Sequence, residues 1–337
     1  MIPLRAAILR RVIPAMALSA LSTSVLACAS CGCTLSSDWE SQGFTTQPGL
    51  KVDVRYDYLN QNQPRHDNGN ISTASASRMV TSSGDRQEVE KYTRNDYLTM
   101  GLDYTFNADW GINAQLPYIN RSHATLGLNS NGSDPAEGAY DSRTHGIGDV
   151  KLIGRYQGFT PQHNFGAIFG FKLPTASHTK TGVSTDPANP GDVAPIDRGL
   201  QHGSGTTDVI LGAYYFDALN KNWDYFAQAI VQAALNSKDG YKPGTGYNFN
   251  LGARYMGFAG VIPQIQLNTR YVEHDTGANA DQTSTGGTLI YLGPGLVVPI
   301  TRQSSVYGFV QLPIHQDVRG VQLTPSYSVS IGGRFAF

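Results

Sequence analysis

Three cysteines lie close together near the N-terminus, at Cys28, Cys31 and Cys33. Thiolates are soft ligands that suit Cu(I), and in an oxidising compartment two thiols can instead pair as a disulfide. No histidine is near them, so the cluster does not make a zinc site. Cys31 and Cys33 are candidate metal ligands, and Cys28 is either a third ligand or a lipidated residue. A processing signal or a periplasmic tether is the interpretation that we prefer.

The rest of the chain offers no catalytic constellation. His274 stands beside Asp275, but that pair falls in a predicted loop. The glycine-rich stretch at residues 203–207 lacks the strand–turn–helix setting of a phosphate loop or a nucleophile elbow. We therefore predict that the protein is not an enzyme and needs no cofactor. The net charge of −1 also argues against a nucleic-acid partner, which would need a clustered basic excess.

Alternating segments of about ten residues recur from Leu50 to the end of the chain. One of them places Leu98, Met100, Leu102 and Tyr104 on one face, with smaller or polar residues on the other. A period of two is the side-chain period of a β-strand. The sequence therefore predicts an all-β protein with about twelve antiparallel strands.

The connections between these segments alternate in length. Short ones are expected at residues 107–109, 157–164, 218–222, 257–260 and 300–304. Longer polar ones are expected at residues 61–92, 121–146, 175–206, 236–246, 272–286 and 314–322. Short turns on one side and long loops on the other are typical of an up-and-down transmembrane β-barrel of the outer membrane. A secreted β-sandwich is the alternative, although its loops would not show this asymmetry.

Ionisable side chains keep one parity along the predicted strands. A lysine or arginine that faces lipid at mid-depth costs about 2–4 kcal/mol, so these side chains should face the lumen. The candidates for lining a permeation path are Lys51, Arg55, Asp103, Asp149, Lys151, Arg155, Lys172, Arg254, Arg270 and Arg334. Two interpretations stay open: a charged constriction that selects permeants, or ion pairs that fill a narrow barrel.

The N-terminus has the features of a secretory signal. Arginines precede an apolar run at residues 12–27, which is short for a membrane helix. We predict a signal peptide over residues 1–29, with cleavage near Ala27 or Ala29, or acylation of Cys28 at an imperfect lipobox. Residues 30–49 would form a periplasmic segment with the cysteine cluster, and residues 50–337 the barrel.

Several short motifs carry a resemblance to a known family. They are Gly148–Tyr156 (GDVKLIGRY), Gly170–Thr175 (GFKLPT), Leu200–Asp208 (LQHGSGTTD), Thr285–Gly287 with Pro294–Gly295, Gln311–Pro313 and Gln322–Leu323. In these the chain resembles the outer-membrane transporter-like family named for the MetA pathway of phenol degradation. The resemblance implies a monomeric barrel that passes small, often aromatic or hydrophobic, compounds.

We therefore predict an outer-membrane channel of a Gram-negative bacterium for the passive uptake or export of small organic molecules. Its partners would be outer-membrane lipid, the permeant and, through the terminal Phe337, the outer-membrane assembly machinery. Both termini would be periplasmic. The alternative is a plugged structural or binding barrel that engages a metal or a periplasmic redox partner through the cysteine cluster.

Overall fold

The computed structural model describes residues 47–80, 84 and 86–337, and this part of the chain is almost entirely β-structure. Its strands are β1 (Gly49–Asp67), β2 (Gly69–Asn70), β3 (Val89–Thr105), β4 (Trp110–Gly127), β5 (Tyr140–Ile147), β6 (Val150–Tyr156), β7 (Phe165–Leu173), β8 (Thr181–Ser184), β9 (Val193–Pro195), β10 (Asp208–Asn220), β11 (Trp223–Ala234), β12 (Gly246–Tyr255), β13 (Ile262–Val272), β14 (Gly287–Pro299) and β15 (Ser304–Ala336). A four-residue helix, α1 (Thr73–Ala76), and a 3-10 turn (Arg198–Leu200) interrupt the loops.

The strands form a closed antiparallel barrel. β1 pairs with β3 on one side and with β15 on the other, and the ladder runs from β3 through β4, β6, β7 and β10 to β14 and back to β15. Eleven strands make this ring, while β2, β5, β8 and β9 pair at one end of it. The predicted all-β antiparallel barrel is confirmed, but the predicted count of about twelve is not.

The last strand is long enough to serve two neighbours. Over residues 305–318 β15 pairs with β14, and over residues 318–336 it pairs with β1. Gly320 has a φ of +60°, which a glycine adopts without strain, and the amide of Ala336 donates to the carbonyl of Gln303. The two halves of β15 therefore lie side by side.

The barrel is apolar outside and polar inside. On β3, Leu102 is 39% exposed whereas the next residue, Asp103, is 7% exposed. Exposed leucine, phenylalanine, tyrosine and tryptophan side chains recur on the outer face of the other strands, and buried Gln, Asn, Arg and Asp recur on the inner face. A β-sandwich would bury the apolar set between its two sheets, so this distribution excludes one.

Short and long connections lie at opposite ends, which we call the turn end and the loop end. The turn end carries residues 106–109, 157–164, 221–222, 256–261 and 300–303, and the loop end carries the longer connections. Several predicted loop bounds were wrong, most of all where β1 continues to Asp67, β4 continues to Gly127, and residues 314–322 lie inside β15. Where a strand projects beyond the apolar belt, its outward residues are polar, and its sequence then resembles that of a loop.

Among the described residues, none of the helical segments combines the length and the apolar character that a membrane crossing requires. The predicted signal peptide, its cleavage or acylation site and the cysteine cluster at Cys28, Cys31 and Cys33 lie outside the described residues. The described part of the chain contains no group of three or more His, Cys, Asp or Glu side chains that could hold a metal ion.

Candidate functional site at the loop end

The long connection between β7 and β10, residues 174–207, folds into the loop end of the barrel, and we call it the inserted loop. Its 3-10 turn ends at Leu200, which is fully buried and packs with Ile196 and with the ring of Tyr140 on β5. His202 and Thr206 are also buried. A loop buried in this way must find partners for its polar backbone groups.

Arg121 supplies several of those partners from the wall of the barrel. Its Nη1 donates to the carbonyl of Leu200 at 2.6 Å and to that of Gln201 at 3.3 Å. Its Nε donates to Asn95 Oδ1 at 2.5 Å, and its Nη2 donates to the hydroxyl of Tyr97 at 3.1 Å. Arg121 is 6% exposed, so these charge-assisted bonds are shielded from water. They hold the inserted loop against β4.

Lys172 lies between two carboxylates beneath the loop. Its Nζ is 3.2 Å from Asp149 Oδ2 and 3.1 Å from Asp208 Oδ2, and it also bonds to the hydroxyl of Ser204. Asp149 in turn accepts from the backbone amides of Ala176 and Ser204, at 3.0 and 3.3 Å. The inserted loop is thus fixed to β7 and to the start of β6 through one charge network.

Three of the motifs that carry the family resemblance meet at this network. Gly148–Tyr156 contributes Asp149, Gly170–Thr175 contributes Lys172, and Leu200–Asp208 contributes Ser204 and Asp208. The motifs are up to about sixty positions apart in the sequence, and their spacing alone did not place them together. The tertiary structure therefore unites them in one site at the loop end.

A cavity of about 240 Å³ lies between the inserted loop and the barrel wall. Arg121, Lys151, Lys172, Arg198 and Arg270 line it together with Asp149, Asp208 and Asp275. Pro117, Ile119, Tyr97, Tyr241, Pro243 and Val272 supply apolar surface. Charged groups and apolar walls in one small space are the properties of a site for a small organic ligand.

The other predicted lumen residues cluster toward the turn end. Arg155 Nη1 is 2.5 Å from Asp103 Oδ2, and Arg254 Nη2 is 2.8 Å from Asp224 Oδ2. Arg55 Nε is 2.8 Å from Asp57 Oδ2. These pairs favour, for this end, the interpretation in which ion pairs fill the interior.

Near the barrel mouth, Lys51 and Arg334 line a second cavity of about 470 Å³ at the turn end. Arg334 Nη2 is 3.5 Å from Asp53 Oδ2, and its guanidinium lies over the ring of Tyr307. All ten predicted candidates thus lie on the inner face, with Asp149, Lys151, Lys172 and Arg270 at the loop-end cavity and the other six nearer the turn end. Their role in permeation stays a prediction.

Aromatic rings narrow the interior above the turn end. Tyr214, Phe226 and Tyr307 are nearly fully buried, and each ring lies over a glycine, either on a neighbouring strand or, for Tyr307, on the other half of β15. A Cβ atom added at Gly252 would collide with the ring of Phe226. These glycines therefore give the rings room inside the barrel and do not leave open space.

Sequence reasoning missed Arg121, which it placed in a loop. On β4, Ile119, Arg121 and His123 are buried and alternate with the exposed Asn120 and the half-buried Ser122, and from His123 to Gly127 every residue is buried. The alternation continues there, but without the apolar outer face that identifies the strands lower in the barrel. The sequence signal that this strand continues is therefore weak, because polar residues occupy both of its faces there.

Two ionisable groups of the inserted loop are expected to make its packing depend on pH in opposite directions. Burial, with the charge of Asp281, raises the pKa of Asp197 to about 7. Burial, with the charge of Arg121, lowers the pKa of His202 to about 4. The folded loop thus holds a proton on Asp197, which favours low pH, and holds His202 neutral, which favours high pH.

The two single variants should therefore show opposite slopes. In His202→Gln, the protection of the loop amides from hydrogen exchange is expected to fall between about pH 4 and pH 7, as Asp197 ionises. In Asp197→Asn, protection is expected to rise between about pH 4 and pH 6.5, as His202 loses its proton. Hydrogen exchange of the amides of residues 196–203, corrected for intrinsic rates, measures this. Parallel slopes in the two variants would contradict the assignment.

Comparisons with known proteins support the fold. No protein-family model matches the chain. No curated protein matches it either. Among solved structures, the chain is similar to the COG4313 outer membrane channel from Pseudomonas putida F1, with 14% identity, a TM-score of 0.60 and coverage of 87% of this chain and 97% of that one.

Two further solved structures show a weaker likeness. The β domain of the Bordetella autotransporter BrkA is 14% identical, with a TM-score of 0.47 and coverage of 86% of this chain and 100% of that one. The Ralstonia pickettii toluene transporter TbuX is 12% identical, with a TM-score of 0.45 and coverage of 88% and 93%. The P. putida channel thus shows a shared barrel fold, while the specific family that the motifs suggested stays a prediction.

Proposed function

We propose that this barrel is an outer-membrane channel that passes small organic molecules, aromatic or hydrophobic ones among them, through its interior. One observation carries the proposal: a closed ring of strands has an apolar outer face and a charged interior that holds two cavities. A closed barrel satisfies the backbone hydrogen bonds of its strands internally, which is what the bilayer core requires. The similarity to the P. putida channel is consistent with this.

We further propose how the chain sits in the membrane. The two halves of β15 would be separate passes, which makes twelve passes with both chain ends at the turn end, facing the periplasm. A cleaved signal peptide would deliver a monomer to the outer membrane, and the terminal Phe337 would be read by the assembly machinery. The amide of Phe337 donates to the carbonyl of Leu50, so the C-terminal residue is tied to the first strand of the barrel. Catalysis has no part in this proposal.

A second function is favoured by one observation. The inserted loop and the inner aromatic rings fill part of the interior, as in a barrel whose lumen is plugged. Such a barrel would serve as a structural or binding protein and engage a metal or redox partner through Cys28, Cys31 or Cys33.

Single-channel recording separates the two functions. The full mature chain, refolded and inserted into a planar bilayer, is expected to give discrete and reproducible openings. Heat-modifiable migration on a gel checks that the barrel is folded. A folded barrel that stays silent across the voltage range would contradict the channel and favour the plugged barrel.

The inserted loop is expected to limit the size of the pore. In Arg121→Ala the carbonyls of Leu200 and Gln201 lose charge-assisted bonds that are each worth about 1.5–3 kcal/mol, so the loop should leave the lumen part of the time. We expect the mean single-channel conductance to rise about twofold, since the larger open population follows from that loss. Arg143→Ala, at an exposed position on β5, is the matched control and should leave the conductance unchanged.

A further inference from the structure

The loop-end cavity has more positive than negative groups. Five of its lining side chains are lysine or arginine and three are aspartate. The aspartates have partners within the protein: Lys172 contacts both Asp149 and Asp208. Asp275 accepts from the hydroxyl of Tyr241 at 2.9 Å and from the amide of Gly244 at 2.8 Å. Their charges are therefore already compensated or solvated by donors.

Two of the cationic side chains have no such compensation. Within the part of the chain that the structure describes, Arg121 bonds to carbonyl, amide and hydroxyl oxygens, and no carboxylate pairs with it. Arg270 donates from Nη1 to Asn248 Oδ1 at 3.0 Å, and none of the described carboxylates pairs with it. An arginine on the cavity wall without a carboxylate partner attracts an anion, because a charge-assisted hydrogen bond is roughly twice as strong as a neutral one.

Part of the remaining lining is apolar, and the volume of the cavity suits a small ligand. Ile119, Val272 and the ring of Tyr241 border the same space. A cavity of about 150 Å³ holds a benzene ring, so 240 Å³ leaves room for a ring and an attached carboxylate. The guanidinium groups select the charge, and the apolar wall accepts the body of the ligand.

We propose that this cavity is a binding site on the permeation path for small organic anions with an apolar body, namely aromatic or short aliphatic carboxylates. The inference rests on the proposed channel function and names its substrate class. The guanidinium of Arg270, which borders the cavity, donates to the carboxylate, and Arg121 supplies further positive charge from the barrel wall. A neutral hydrocarbon leaves the guanidinium of Arg270 without an anionic partner, and an organic cation is repelled.

The test compares three probes that share one ring and differ in charge: benzoate, benzyl alcohol and benzylammonium. Added to the full chain in a planar bilayer, benzoate is expected to interrupt the single-channel current at about tenfold lower concentration than the other two, the effect of one charge-assisted hydrogen bond. In a salt gradient the reversal potential should show preference for chloride over potassium. Both effects should disappear in Arg270→Gln and persist in Arg143→Gln.

The outcomes distinguish the two proposals. Discrete openings without preference for benzoate, or a preference that Arg270→Gln leaves intact, would overturn the inference and leave the channel standing. A folded but silent barrel would overturn the channel. In that case calorimetric titration of benzoate into the folded protein decides the site: binding that Arg270→Gln abolishes supports it, and absence of binding overturns it.

Discussion

Replacing Asp103 by alanine is expected to lower the free energy of unfolding by about 3–5 kcal/mol, which is the cost of removing one partner from a buried ion pair. Asp103 and Arg155 are 7% and 4% exposed, and their charged atoms are 2.5 Å apart. Without the carboxylate, the guanidinium keeps the hydroxyl of Thr105 as a partner, and its Nε already has none among the residues that the structure describes. Urea titration of the barrel folded into lipid vesicles measures the loss.

Two controls show whether the loss comes from an uncompensated charge. The double variant Asp103→Ala/Arg155→Met removes both charges and should recover most of the stability, because an apolar pair of similar volume is often neutral. Asp217→Ala, at an exposed position near the turn end, should cost less than about 1 kcal/mol. A double variant as unstable as the single one would show that shape, and not charge, dominates there.

The second large effect is expected on the outer face. Leu251→Lys should make folding into a bilayer less favourable by about 2–4 kcal/mol, because it places a charge in lipid near the middle of β12. Leu251 is 39% exposed and stands in register between Ala227 and Leu267 on the neighbouring strands. The same vesicle titration measures it.

The matched control is the same substitution outside the apolar belt. Ala278→Lys lies at an exposed position in the connection between β13 and β14, where a lysine remains in water. It should change the folding free energy by less than about 0.5 kcal/mol. Equal effects at the two positions would mean that the outer face of β12 does not contact lipid, and the channel proposal would fail with it.

The predicted barrel depended on one local property. Apolar and polar residues alternate within each strand, as at Leu102 and Asp103, and the period of two sends them to opposite faces. This local rule predicted the strands and their apolar face, and the alternation of short and long connections then favoured a closed barrel over a sandwich. It was not enough for strand ends, since Arg121 and its neighbours extend β4 beyond the apolar belt, where outward residues become polar.

The inner face was predicted in direction but not in detail. All ten charged candidates point inward, yet their partners come from strands that are far away in the sequence, such as Asp103 with Arg155 across 52 positions. Strand register decides such pairs, and register was not predicted. The same is true of the aromatic rings over glycines, where Tyr214 on β10 covers Gly166 on β7.

The sequence alone determined which side of each strand is apolar, because side-chain direction along a strand depends on residue parity and on nothing distant. The tertiary structure alone decided which of the inward groups meet one another and which loop enters the interior. The inserted loop enters the barrel because Arg121 bonds to carbonyls about eighty positions away and Lys172 joins the carboxylates of Asp149 and Asp208. Contacts of that kind arise only when the closed barrel has brought its strands together, and they shape the cavity in which we place the permeant.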